Sequence, residues 1–112
     1  MEDAQLIHLV PLQPIANQRF ASIIQRVRYD ITLQYCGGIM AATIDRDGVR
    51  VASGSRCVYG RPLAPSSLME GGNFLFYTEN MEIPNYTKFN TTHWLFFVTA
   101  DQIGTFVADY DR

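Results

Sequence analysis

The stretch VRYDITLQY, Val27 to Tyr35, alternates without a break. Val27, Tyr29, Ile31, Leu33 and Tyr35 are apolar, and Arg28, Asp30, Thr32 and Gln34 between them are polar. Successive side chains on a strand point to opposite faces, so this period of two predicts a half-buried strand. On its N-terminal side, Arg19 to Ile24 predicts a partner, with Gln25-Arg26 as the turn. Neither turn residue readily takes positive φ, so the turn type stays open. On the other side, Gly37-Gly38 leads into a hairpin of Ile39 to Ile44 and Gly48 to Ser53 around Asp45-Arg46-Asp47-Gly48. Asp-Gly supplies the left-handed residue that short turns demand.

Further out, Gln5 to Val10 predicts a first strand, ended by Pro11, which cannot donate to a ladder. Arg56 to Tyr59 predicts a short strand, and Asn73 to Thr78 and His93 to Thr99 predict two stronger ones. Glycines and prolines recur so closely that three-turn helices have little room. The expectation is therefore all-β: one small antiparallel β-barrel or sandwich of about seven to eight strands with two long loops. One domain spans 1–112, with 1–4 and 108–112 expected as flexible tails. The loops are Gly60 to Gly72 (GRPLAPSSLMEGG), with a helical turn expected at Ser66 to Glu70, and Glu79 to Thr92 (ENMEIPNYTKFNTT). Both carry apolar side chains that need a cover, and long loops in small domains usually serve function. The segment after Asp101 keeps Ile103, Phe106, Val107 and Tyr110, and is expected to dock on a surface.

With 47% apolar and 18% charged residues, the 112-residue chain can build one core without staples or metals. Nine Lys and Arg against eleven Asp and Glu leave a net charge of −2, which points away from nucleic acid. No apolar run approaches the roughly 20 residues of a membrane-spanning helix. Met1-Glu2-Asp3 lacks the positive start of an export signal, so Cys36 and Cys57 are read as thiols.

Chemistry-bearing patterns are sparse. His8 and His93 show no metal-ligand spacing, and no cofactor is expected. Asp45-x-Asp47-Gly48 resembles a fragment of a calcium loop, but the residues that follow fit a hairpin turn better. A nucleophilic Cys36 or Cys57 with His93 lacks the cations that would lower a thiol pKa. Glu79 with Glu82, and Asp45 with Asp47, lie in turns where water solvates both carboxylates. Asn85-Tyr86-Thr87 and Asn90-Thr91-Thr92 match a glycosylation pattern that matters only for an exported chain. The rings of Tyr29, Tyr35, Phe74, Phe76, Trp94, Phe96 and Phe97 have no basic groove beside them, so most are assigned to core packing. A stand-alone small β-barrel binding a ligand or single-stranded nucleic acid is the alternative to a structural role.

Read as a whole, the chain resembles the small baseplate plug proteins of contractile-tailed bacteriophages. The resemblance begins at Ile7 to Gln18 (IHLVPLQPIANQ) and continues through Arg28 to Ile44, Asp47-Gly48 and Ser53 to Pro65 (SGSRCVYGRPLAP). It is most specific at Leu68 to Asn80 (LMEGGNFLFYTEN) and Pro84-Asn85-Tyr86-Thr87-x-Phe89, and gives out beyond Gly104. It implies a non-enzymatic virion protein, made in the bacterial host cytoplasm and built into the tail baseplate. It further implies copies of itself around a three-fold or six-fold axis, near hub, spike and tail-tube proteins, with neither nucleic-acid specificity nor a membrane span. In such a ring the interface candidates are Arg61, Leu63, Leu68, Met69, Met81, Ile83, Tyr86, Phe89, Phe106 and Tyr110.

Overall fold

The computed structural model describes residues 7–69 and 71–103. Seven strands among them form two antiparallel sheets. β2 (Gln18–Ile24), β3 (Val27–Cys36), β4 (Ile39–Arg46) and β5 (Val49–Arg56) make a meander in the order β2-β3-β4-β5. β1 (Ile7–Val10), β6 (Gly72–Thr78) and β7 (His93–Thr99) make the second sheet, in the order β1-β7-β6. Neither sheet closes on itself, so of the two expected architectures the sandwich is the one formed. The expected tails at 1–4 and 108–112 lie outside the described residues.

β3 behaves as its alternation requires: Tyr29, Ile31 and Leu33 are buried, while Arg28 and Gln34 face solvent. Tyr35 departs from the pattern and stays exposed, because the core ends before it. Its ring meets Tyr86 edge-on instead, with centroids 5.1 Å apart.

All three hairpins of the meander use two-residue turns with both central residues at positive φ: Gln25-Arg26 (54° and 68°), Gly37-Gly38 (61° and 87°) and Asp47-Gly48 (48° and 85°). Such primed turns match the right-handed twist of the flanking strands. Gln25 and Arg26 are poor residues for that conformation, but the β2–β3 ladder runs in full register from Gln18↔Leu33 to Ile24↔Val27 and imposes it. The Asp47 carboxylate accepts from Arg28 N–H at 3.0 Å, and Asp47 N–H donates back to Arg28 C=O at 2.7 Å.

The second hairpin strand runs on to Arg56, and Arg56 to Tyr59 is not a strand of its own. Gly54 explains the extension. Its φ of 59° places a bulge in β5, and its N–H turns to Thr43 Oγ1 at 3.0 Å rather than to the ladder. After Arg56 the chain leaves the ladder, and Tyr59 makes an isolated bridge to Phe76.

An aromatic cluster ties the sheets together. Tyr29 of the meander meets Phe74 edge-on at 5.0 Å, and Phe74 meets Phe97 at 5.2 Å. Full burial contributes roughly 1.5–3 kcal/mol for each such ring, and favourable ring pairing adds about 0.5–1.5 kcal/mol per pair. Gly72 sits where β6 and β7 approach closely: a Cβ there would lie 2.5 Å from Val98 C=O and 2.6 Å from the Phe97 ring.

Candidate interaction surface

The two long loops are ordered by different devices. The segment after Tyr59 runs beside β6 and covers its edge: Gly60 N–H donates to Phe76 C=O at 2.9 Å, and Leu63 N–H to Phe74 C=O at 3.0 Å. Buried Asn73 then clasps the loop. Its Oδ1 accepts from Ala64 N–H at 3.2 Å and its Nδ2 donates to Ala64 C=O at 2.7 Å. The expected helical turn is a 3-10 turn at Ser66–Leu68.

The second loop is held by buried His93. Its Nδ1 accepts from Asn85 N–H at 3.0 Å, which puts the ring proton on Nε2, and Nε2 donates to Glu82 Oε1 at 2.9 Å. Lys88 Nζ donates to the same oxygen at 3.0 Å. The bonds from His93 and Lys88 hold the Glu82 carboxyl below its usual range. Asn85 Oδ1 accepts from Thr87 N–H at 2.9 Å, and Asn90 Nδ2 donates to Leu12 C=O. The two asparagines of the glycosylation pattern therefore serve the chain's own hydrogen bonding, Asn85 within the loop and Asn90 from the loop to Leu12.

This geometry divides the sequence-based candidates. Leu63, Met69 and Phe89 are buried in the chain's own core, and Phe89 stacks on Phe76 with centroids 5.8 Å apart. They are corrected from outward anchors to core residues: tertiary packing brings the rest of the core against them, a proximity that loop composition does not carry. Leu68, Met81 and Ile83 keep about half of their surface in solvent. Arg61 is exposed, and Tyr86 is half-buried against Tyr35. Phe106 and Tyr110 lie outside the described residues.

The chemical alternatives meet a definite geometry. Burial pushes the Cys57 thiol up to about 12, so it stays protonated at neutral pH, while Cys36 is exposed. Both ring nitrogens of His93 are engaged by Asn85 and Glu82, so neither serves a cysteine as a base. Among the described residues no three His, Cys, Asp or Glu side chains converge as metal ligands, and no helix is long and apolar enough to cross a membrane. Asp45 pairs with Arg50 and Asp47 caps the β3 backbone, which divides the calcium-like motif between two structural tasks.

A feature that sequence reasoning missed lies on the outer face of the β1-β7-β6 sheet. Leu95 and Phe97 of β7 belong to the core, so Trp94 and Phe96, which alternate with them along the strand, point outward. Ile7 and Leu9 of β1 and Tyr77 of β6 join them, and all three are exposed. The signal was present in FLFY and WLFF, which are apolar without alternation. Such runs indicate strands covered on both faces.

An open antiparallel β-sandwich with clasped loops is the class of protein these features define. Over residues 7–101 the chain matches the family described as cyanophage baseplate Pam3 plug gp18, and it belongs to that family. It is a structural protein of a bacteriophage baseplate, which implies a place in the virion tail and association with other baseplate proteins. None of the curated proteins matches the chain.

Proposed function

We propose that the chain is a non-enzymatic plug subunit at the centre of a contractile-tail baseplate, made in the bacterial cytoplasm. It would be present in copies set by a three-fold or six-fold axis and contact hub, spike and tail-tube proteins. The observation that carries this is the pairing of exposed apolar tips with pinned backbones. Leu68, Met81 and Ile83 are exposed on loops fixed by Asn73 and His93. Apolar anchors held in one conformation lose little entropy on binding, which suits an assembly contact. Arg61 and Tyr86 flank them as polar and aromatic contacts.

The test is a Met81→Asp, Ile83→Asp double variant. It is expected to melt with the wild-type transition, because both side chains are exposed, yet to be missing from purified baseplates. A folded variant present at the wild-type level in infectious particles overturns the loop contact.

A further inference from the structure

The outer face of the β1-β7-β6 sheet is unlike that of the meander. On the meander, Arg28 pairs with Asp30 at 3.1 Å and Arg50 pairs with Asp45, as expected of a solvated face. On the other sheet, Ile7, Tyr77, Trp94 and Phe96 line a concavity of about 380 Å³, and no charged side chain among the described residues contributes to it. Leu9, across the ladder from Phe96, extends the same patch. Tyr77 lies against Trp94 at 6.2 Å and Tyr59 at 5.5 Å, so the floor of the concavity is a fixed aromatic surface.

We propose that this face is a second docking surface, and that its occupant is an uncharged apolar knob from a different baseplate protein. The inference rests on the baseplate role and adds a contact made by strand residues to the one made by the loops. The area decides against a second copy. Ile7, Leu9 and Tyr77 are 40%, 54% and 42% exposed, and Trp94 and Phe96 less. With large side chains of roughly 150–250 Å² each, the patch offers on the order of 350 Å². Two copies face to face would bury about 700 Å², well under the roughly 1,200–2,000 Å² of a stable interface. The same patch is ample as one anchor pocket within a larger contact between unlike proteins, and its lack of charge requires an uncharged insert.

Trp94 is the chain's single tryptophan, so it reports on the face directly. The chain is labelled with 5-hydroxytryptophan, whose emission is separable from that of ordinary tryptophan, and assembled with unlabelled baseplate proteins. Acrylamide is expected to quench the label in the free chain and several-fold less in the assembly. Leu9→Lys, at an exposed position, is expected to keep the wild-type melting transition and lower incorporation by about thirtyfold, the loss that follows removal of an interface anchor.

Equal quenching in the free and assembled chain overturns the proposal. Shielding of the free chain that grows with concentration identifies a second copy as the occupant and also overturns it. So does shielding in dilute monomer that disappears when residues 104–112 are removed. Normal assembly of Leu9→Lys beside failure of the Met81, Ile83 variant rejects this face and leaves the loop contact standing. The reverse pattern rejects the loop contact alone.

Discussion

Asn73 should carry more stability than its place at the start of a strand suggests. It is buried, and its amide both accepts from and donates to the backbone of Ala64, while Oδ1 also takes Phe74 N–H at 2.8 Å. Asn73→Ala leaves a backbone donor and a backbone acceptor of Ala64 without partners in a buried setting. Each orphaned group costs about 1–3 kcal/mol, so a loss of about 3 kcal/mol is expected. Against a total stability of about 5–15 kcal/mol, that is a large fraction. Asn73→Asp separates the two bonds. The introduced carboxylate can still accept from Ala64 N–H, but it sets a charged oxygen against Ala64 C=O where an N–H donated at 2.7 Å. Its folded-state pKa must therefore lie above the ordinary value of about 3.9. The penalty is full above the folded-state value and relieved as pH falls through it, when the protonated oxygen can donate again. Urea unfolding from pH 7 to pH 4 measures both variants, and hydrogen exchange at the Ala64 amide reports whether the loop opens locally. A change under about 0.5 kcal/mol for Asn73→Ala, or no acid recovery for Asn73→Asp, would refute the clasp.

Gly72→Ala forces a methyl group into Val98 C=O and the Phe97 ring, and should cost about 3 kcal/mol, seen as a melting temperature lower by about 10 °C. Replacing Gln25-Arg26 by Asn-Gly should stabilise the protein by about 1 kcal/mol in urea unfolding, because the primed turn is retained and its strain removed. Glu82, with its folded pKa lowered, contributes stability that is present above the unfolded value of about 4.3 and lost as pH falls through the folded one. The difference between wild type and Glu82→Gln in hydrogen exchange of residues 82–92 should therefore narrow as the sample is acidified. Maleimide should modify Cys36 promptly at pH 7 and reach Cys57 only after unfolding, as mass spectrometry of the labelled chain will show.

Among the candidate contacts, Leu68, Met81 and Ile83 stood out in the sequence because their loops lack periodicity, and the structure leaves them exposed. Leu63, Met69 and Phe89 looked the same and are core residues. Nothing local separates the two sets, since the difference is tertiary packing and the clasps at Asn73 and His93. The outer patch escaped for a related reason. An unalternating strand shows that both faces are apolar but not which one the second sheet covers.

Local physics settled the meander. The period of two in β3 fixed which side faces inward, and Asp47-Gly48 fixed one turn, because pleat and left-handed turn are properties of a few consecutive residues. Distant pairing decided what no short window holds. The Gln25-Arg26 turn obeys the ladder rather than its own preferences, and β5 runs through Gly54 instead of breaking there. β1 lies beside β7, residues apart in the chain by most of its length. That last pairing creates both the inner wall of the core and the aromatic face outside it, because a sheet acquires two faces only once its strands have met.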